Sequence, residues 1–231
     1  GRAVGEEQPK YLNSPESPVF NKRQNLYGLH LAIPAVRQVK RVIVVEGYMD
    51  CIAVQEYGFG NTVAALGTAF TNEQSRLLLR YAKDIILAFD QDTAGLAATM
   101  RSQVSVLGLS DAKDPDEFLQ TYGREAFAAA LEERTTSYLE FRLEQLLHRY
   151  NPENVYARAE IVMELARDLA EISNYVVREG FIQMAAQKLH TSEEAIRLEL
   201  SRFSSKQSAS KDKTVKNRDN MEQGKQTFGK E

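Results

Sequence analysis

The chain has 231 residues, of which 43% are hydrophobic and 26% charged, a composition typical of a globular protein with an apolar core. Its 29 basic and 32 acidic residues give a net charge of −3, which excludes a uniformly basic nucleic-acid coat but allows a local basic face. A single Cys excludes an internal disulfide and a zinc site built on cysteines, and no apolar run is long enough to span a membrane. We therefore expect a soluble cytoplasmic protein, a fragment of a longer one because it begins at Gly1, with no membrane partner and no zinc.

The two ends of the chain differ from its middle. Residues 1–24 contain three prolines and no sustained hydrophobic period, which predicts a loop segment. Residues 205–231 carry seven basic and four acidic residues, so this tail is +3 and the remaining 22 basic and 28 acidic residues give −6. The tail is rich in Ser, Lys, Gln and Asn and has little to bury, which predicts a disordered linker over 204–231.

Between residues 41 and 109, short apolar runs alternate with amphipathic stretches. The runs predict four strands, at Val42–Val45, Thr62–Leu66, Ile85–Phe89 and Val104–Leu109. Helical spacing predicts helices at Met49–Tyr57, Thr71–Ala82 and Thr93–Arg101. Thr71 and Gln74 fit a capping box at the start of the second helix. This alternation predicts an α/β fold, a mostly parallel sheet with flanking helices whose ligands gather at the carboxyl ends of the strands.

The sequence changes character after Asp116, where long stretches with a helical period replace the β-rich runs. We expect an all-α subdomain, with helices at Arg124–Glu133, Thr136–Tyr150, Pro152–Glu171, Asn174–Leu189 and Ser192–Phe203. Thr191 and Glu194 fit a capping box for the last of these helices. The chain is thus expected to consist of a sheet domain followed by a helical one.

Acidic residues directly follow two of the predicted strands. Glu46 comes after the first strand and Asp90 after the third, so both should lie in one crevice at the carboxyl edge of the sheet. Asp92 follows Asp90 by two residues, which returns its side chain to the same side of an extended chain. Gly47 and Gly95 flank these acids, and a residue without a Cβ lets a ligand approach the backbone.

A second Asp-x-Asp pattern is formed by Asp114 and Asp116, and the intervening Pro115 favours an extended Asp114. Taken alone, such patterns commonly open helices as N-caps. Five converging carboxylates would repel one another unless a divalent cation were bound, and Mg²⁺ prefers carboxylates, waters and substrate phosphates. The combination therefore predicts phosphoryl or nucleotidyl transfer at metal-bound phosphates.

Several motifs, in this order, resemble the TOPRIM core of the bacterial replicative DNA primases. They are Glu46-Gly47-Tyr48-Met49-Asp50, Ala65-Leu66-Gly67-Thr68-Ala69, Phe89-Asp90-Gln91-Asp92-Thr93-Ala94-Gly95 and Lys113-Asp114-Pro115-Asp116-Glu117-Phe118. Two further segments resemble this primase family specifically, Lys10–Glu16 and Leu26–Leu29. The resemblance covers about residues 1–203 and implies a TOPRIM-type sheet followed by a helical subdomain.

The resemblance implies RNA primer synthesis on a single-stranded DNA template from ribonucleoside triphosphates, with Mg²⁺ or Mn²⁺ as cofactor. Carried over to this chain, the metal-binding acids are Glu46, Asp90, Asp92, Asp114 and Asp116. The first three would be catalytic, and Asp50 would be accessory. The cations that bind nucleotide or template would be Arg2, Lys10 and Lys22. One metal would favour the attacking 3′-hydroxyl as its oxyanion, and a second would stabilise charge on the triphosphate.

The resemblance also implies a domain order. Residues 1–40 would be the remainder of a basic amino-terminal subdomain, 41–119 the TOPRIM metal-binding domain, 120–203 the helical subdomain and 204–231 the linker. Family members carry a zinc-ribbon before this region and a helicase-binding domain after it. We expect both to be absent from this chain, so that the replicative helicase would bind through a domain outside it.

Two alternatives remain open. The first is a TOPRIM fragment that binds metal and nucleic acid without catalysis, favoured by missing basic surface and by a segment between Gly95 and Asp111 that looks shorter than the family pattern. The second is a piece of a TOPRIM nuclease or topoisomerase, in which Tyr48 could be nominated as a nucleophile. Its position within the first motif favours packing instead, and Cys51 is expected to be a small buried hydrophobe.

Overall fold

The computed structural model describes residues 17, 21–65, 70–89, 104–109, 111–170, 172 and 174–203. The chain divides into two compact units, residues 1–141 and 142–231. The first unit contains the sheet and the second is helical in its described part. The predicted helix Thr93–Arg101 and the predicted linker 204–231 lie outside the described residues.

The elements of the chain are, in order, α1 (Leu29–Val39), β1 (Arg41–Val45), α2 (Tyr48–Glu56), β2 (Thr62–Ala64), α3 (Asn72–Leu78), β3 (Asp84–Ala88), β4 (Val104–Leu107), α4 (Pro115–Glu133), β5 (Thr135–Ser137), α5 (Tyr138–Arg149), α6 (Val155–Ala170) and α7 (Tyr175–Leu189). A last helix, α8, spans 193–203. Within the described residues, no helix has the length and apolar character needed to cross a membrane.

The five strands form one sheet in the order β2-β1-β3-β4-β5. Pairing is parallel between β1 and β2, β1 and β3, and β3 and β4, whereas β5 runs antiparallel to β4. Val45 pairs with Ala64 on one side and with Ala88 on the other, so the carboxyl ends of the three strands are level. The predicted α/β fold, a mostly parallel sheet with flanking helices, is confirmed.

The central strands are buried along almost their whole length. In β1 and β3, four of the five residues are buried, in the continuous aliphatic runs Val42–Val45 and Ile85–Ala88. Strands covered by helices on both faces need such runs rather than an alternating pattern. The core cluster around Ile43 and Ile86 includes Phe118 and Phe127 of α4, so that this helix is fixed against the sheet.

The start of α3 shows how closely the sequence predicted local structure. The Thr71 hydroxyl accepts a hydrogen bond from the Gln74 N–H at 3.1 Å, and the Gln74 side chain accepts from the Thr71 N–H at 3.0 Å. The predicted capping box is thus confirmed. The helix ends at Leu78, four residues before its predicted end at Ala82.

Two elements of the first unit differ from the sequence-based expectation. The expectation that no strand follows Asp116 is wrong, because Thr135–Ser137 pairs with β4. Its three residues are polar and only partly buried, so they lack the apolar pattern of a strand. Helix α1 was not predicted, and it carries Pro34 in its interior, where Pro normally argues against a helix.

The described helices of the second unit lie within a few residues of the predicted ones. An ion network joins α5 to α6. Arg142 Nη2 lies 2.6 Å from Glu164 Oε2, and Arg142 Nε lies 3.1 Å from Asp168 Oδ2. Helix α8 is capped one residue later than predicted, because the Ser192 hydroxyl, not that of Thr191, accepts from the Ala195 N–H at 3.2 Å.

Candidate active site at the carboxyl edge of the sheet

Glu46 lies where β1 ends and the chain turns into α2, as the sequence predicts. It is half-buried and directly follows the fully buried Val45. The turn is closed by Asp50, whose Oδ2 accepts a hydrogen bond from the Gly47 N–H at 3.3 Å. A Cβ at position 47 would lie 2.9 Å from this oxygen, so a larger residue there would displace the Asp50 carboxylate. Asp50, expected as an accessory acid, therefore shapes the turn that carries Glu46.

A pair of tyrosines lies at the same edge of the sheet. The backbone of Tyr27 pairs with Ala64 at the end of β2, with N···O distances of 2.9 and 3.1 Å. Its ring centroid lies 5.9 Å from that of Tyr48, at an interplanar angle of 53°. This contact agrees with a packing role for Tyr48. It also brings the segment 21–27 to the carboxyl edge of the sheet.

Lys22 belongs to that segment, and its backbone is held by α3. The Gln74 amide Nε2 donates to the carbonyl oxygens of Lys22 and Asn25, each at 2.9 Å. The Thr71 hydroxyl donates to the Arg23 carbonyl at 2.5 Å. Lys22 is one of the three cations expected to bind nucleotide or template. The other two, Arg2 and Lys10, lie outside the described residues.

Asp114 and Asp116 open α4. Asp114 has an extended backbone (φ −146°, ψ 168°), as expected before Pro115, and its Oδ1 accepts from the Glu117 N–H at 2.8 Å. Asp116 Oδ1 accepts from Gln120 Nε2 at 2.8 Å. The Asp-Pro-Asp pattern thus opens a helix, with Asp114 as its N-cap. Each of these hydrogen bonds uses one carboxylate oxygen and fixes the orientation of the group.

The meeting of all five acids around an ion stays a prediction. Asp90 and Asp92 lie outside the described residues. Among the residues that the structure does describe, no three Asp, Glu, His or Cys side chains lie close enough together to hold a metal ion. What the sheet register does establish is that Ala88, two positions before Asp90, pairs with Val45, next to Glu46. The two chain segments therefore leave the sheet at the same edge.

Cys51 lies on α2 below this edge and is fully buried. Its thiol contacts the Thr62 carbonyl oxygen at 3.5 Å. Burial, assisted by the charge of Asp50, raises the pKa of Cys51 to about 12. The expected role as a small buried hydrophobe is confirmed, because a thiol with this pKa stays protonated and unreactive.

Two site residues escaped the sequence analysis. Tyr27 was quoted only as part of a family motif, and Gln74 only as half of a capping box. No signal in the sequence could have shown that the Gln74 amide reaches back about fifty positions to the chain around Lys22. The tertiary contact becomes visible only in the folded chain.

Three family models match the chain. One described as a Toprim domain covers residues 40–110, and one described as the N-terminal domain of the DNA primase catalytic core covers 1–33. A third, described as the DnaB-helicase binding domain of primase, covers 139–194. This last match contradicts the expectation that the helicase-binding domain lies outside the chain.

Similar proteins agree with these matches. A DNA primase of Clostridium acetobutylicum is 38% identical over 208 residues, which are 85% of this chain and 34% of that protein. A crystal structure of a DNA primase domain from Pseudomonas aeruginosa is 33% identical, with a TM-score of 0.76 over 87% of this chain and 66% of that one. A DnaG primase catalytic domain bound to single-stranded DNA is 31% identical, with a TM-score of 0.68 over 81% and 64% of the two chains.

The chain spans about a third of the length of the curated relatives it matches. The family matches run in the same order as the observed elements, first the segment before the sheet, then the sheet, then the helices. The chain therefore belongs to the bacterial DNA primases, as a segment of their Toprim catalytic core.

Proposed function

We propose that this chain carries the catalytic centre of a DNA primase, which synthesises short RNA primers on single-stranded DNA from ribonucleoside triphosphates. The observation that carries the proposal is the position of Glu46, an acid at the carboxyl end of a central parallel strand, in a chain related to primases. The strand beside it, β3, leads directly into the Phe89–Gly95 motif. Carboxyl ends of parallel strands are where α/β sheets bind ligands.

The metal-binding set in this proposal consists of Glu46, Asp90, Asp92, Asp114 and Asp116, with the first three at the reacting phosphate. An all-oxygen set fits Mg²⁺ or Mn²⁺, which when bound neutralises charge on the triphosphate and activates the 3′-hydroxyl. Asp114 fits this role, because its Oδ1 is fixed by the Glu117 N–H, whereas its Oδ2 accepts no hydrogen bond from the described residues. The capping bond thus orients an oxygen that remains available to a cation.

The template-binding part of the proposal rests on Arg2, Lys10 and Lys22. A 31% identical catalytic domain is known bound to single-stranded DNA, which supports the same ligand here. Lys22 lies on a turn at the edge that carries Glu46, so a strand bound there would pass close to the proposed metal site. Lysines bind phosphates through charge, which makes such binding dependent on salt.

A primer-synthesis assay tests the proposal. The chain is incubated with single-stranded template, ribonucleoside triphosphates and Mg²⁺ or Mn²⁺, alone and with the remaining parts of a full-length relative added. We expect RNA primers, and we expect Glu46→Gln to lower the rate at least about 100-fold, since removing one ligand charge weakens stabilisation of the transition state. Glu56→Gln, an exposed site at the end of α2, is the matched control and should keep the rate. Primer formation at an unchanged rate in Glu46→Gln would contradict the assignment.

A second candidate is a module that binds metal and nucleic acid without catalysis. It requires only the sheet that matches the Toprim model, without primer synthesis. A thermal-shift titration with Mn²⁺ separates the two candidates from a chain without a metal site. Stabilisation by Mn²⁺ without primer synthesis supports the binding module, and absence of stabilisation contradicts the metal site in both.

A replicative helicase is the proposed protein partner. The match of residues 139–194 to a model described as a DnaB-helicase binding domain supports this, and would place the protein at the replication fork in the bacterial cytoplasm. The test is binding of the purified chain to the helicase, measured by calorimetry, with a version ending at residue 137 as the control. Equal binding by both would exclude residues 139–194 as the contact.

A further inference from the structure

Gln74 is a polar side chain with no exposed surface, and each of its hydrogen-bonding groups has a partner. Its Oε1 accepts from the Thr71 N–H, which completes the capping box of α3. Its Nε2 donates to the carbonyls of Lys22 and Asn25 at 2.9 Å each. Capping uses the oxygen alone, so the amide nitrogen has a separate task, to hold the backbone of residues 22–25.

The turn that Gln74 holds is small and closed on itself. The N–H groups of Gln24 and Asn25 both donate to the Asn21 carbonyl at 3.0 Å, and the Asn25 side chain donates to the same oxygen at 2.9 Å. Its carbonyls at 22, 23 and 25 are all bonded by Gln74 or Thr71. The turn carries two cations, the half-buried Lys22 and the exposed Arg23. Its position relative to the sheet is therefore set by the first turn of α3.

We infer that Gln74 is a positioning residue, which holds the backbone of Lys22 so that its ammonium group meets a phosphate of the bound single-stranded DNA. This inference rests on the proposed function, which gives Lys22 that ligand. A lysine has a flexible four-carbon stem, and fixing the backbone removes part of the entropy that would otherwise be lost on binding. Gln74 itself lies below the surface and contacts no ligand.

A merely structural role for Gln74 predicts a different result from a positioning role. If Gln74 only stabilises the fold, its loss and the loss of the Lys22 ammonium weaken DNA binding independently. If it positions Lys22, the two losses are coupled, because the ammonium contributes little once its backbone is released. A double-mutant cycle measures this coupling directly. Lys22→Ala keeps the backbone carbonyl that Gln74 holds, so each single variant removes a different part of the arrangement.

The experiment measures binding of fluorescently labelled oligodeoxythymidine to the full chain at several salt concentrations. With Gln74 in place, Lys22→Ala should weaken binding about fivefold and reduce the slope of log affinity against log salt by about 0.7, the value for one phosphate on a single strand. In a Gln74→Met background, Lys22→Ala should change the affinity less than about twofold. Gln55→Met is the matched control, since Gln55 also holds a backbone carbonyl, that of Thr62, but does not touch the turn.

Gln74→Ala provides a second variant in case Gln74→Met does not fold. It removes both donors to the turn without placing a charge beside Lys22, and the Thr71 hydroxyl can still cap α3. Equal loss on Lys22→Ala in both backgrounds would overturn the inference and leave the proposed function intact. No effect of Lys22→Ala with Gln74 present would instead remove Lys22 from the proposed template site, and the inference with it.

Discussion

The acids that open α4 in the sheet unit differ in their partners from the paired acids of the helical unit. Within the described residues, Asp114 and Asp116 accept hydrogen bonds from neutral donors only, a backbone N–H and a glutamine amide. In the helical unit, Glu164 and Asp168 share Arg142, and Glu179 and Glu193 share Arg197. A carboxylate paired with arginine is already neutralised, whereas one held by neutral donors keeps its charge for a cation. The comparison separates acids that stabilise the fold from acids suited to bind metal.

Replacing Arg142 of the helical unit should have the largest effect on folding. Arg142→Met removes the cation that the mostly buried Glu164 and Asp168 share, which should lower the free energy of unfolding by about 3 kcal/mol. Arg149→Met is the control, since this exposed side chain lies 3.9 Å from Glu164 and should contribute less than about 0.5 kcal/mol. Urea denaturation measures both. Equal effects would mean that the network is not what holds α5 to α6.

At the acids that open α4, which have no arginine partner among the described residues, the carboxylate charge should matter little for folding. Asp114→Ala removes the cap of α4 and should cost about 1 kcal/mol, whereas Asp114→Asn keeps a capping oxygen and should cost only a few tenths. Both should reduce stabilisation by Mn²⁺ in a thermal-shift titration. Unchanged Mn²⁺ stabilisation in Asp114→Asn would remove this residue from the metal-binding set.

One glycine in each unit should respond in opposite directions to substitution by alanine. Gly123 in α4 has φ +81° and open space around it, so Gly123→Ala should destabilise by about 1 kcal/mol through backbone strain alone. Gly180 lies in the middle of α7, also in open space, and Gly180→Ala should stabilise by roughly 0.5–1 kcal/mol. Changes of the same sign in thermal denaturation would contradict the break in α4 at Gly123.

The last prediction concerns Cys51, whose thiol should not titrate near neutral pH. Its folded-state pKa of about 12 lies above the ordinary value of 9.0, because burial disfavours the thiolate. The stability it contributes is therefore fully present below about pH 9 and is lost as the pH rises toward 12, since the unfolded chain deprotonates first. The difference in unfolding free energy between the wild type and Cys51→Ala should shrink over this range. A constant difference from pH 8 to pH 11 would contradict the buried thiol.

The order of strands and helices in the sheet unit was predictable because its central strands carry long aliphatic runs. Hydrophobicity alone predicts the strands at Val42–Val45 and Ile85–Ala88, and the capping box of Thr71 and Gln74 predicts the start of a helix. What remained hidden depends on contacts distant in sequence. Thr135–Ser137 is a strand only because β4 offers it a free edge, and polar residues give no signal of that pairing.

The candidate site was predictable in part for the same reason. The position of Glu46 was predictable because it directly follows a recognisable strand, and the capping role of Asp114 was predictable because Pro115 comes next. The attachment of Lys22 to Gln74 joins residues 52 positions apart, and no local pattern encodes it. In the sequence, the capping box already accounts for a glutamine at position 74, so nothing indicated that its amide nitrogen also binds the Lys22 and Asn25 carbonyls.

The metal site is tested most directly by locating Mn²⁺ in soaked crystals through its anomalous scattering. We expect peaks at the carboxyl edge of the sheet, contacted by Glu46 together with Asp90, Asp92, Asp114 and Asp116. We expect no peak at Glu164 and Asp168, which Arg142 already neutralises. Crystals with no peak near Glu46, or with Mn²⁺ bound only elsewhere, would contradict a metal-dependent catalytic centre in this chain.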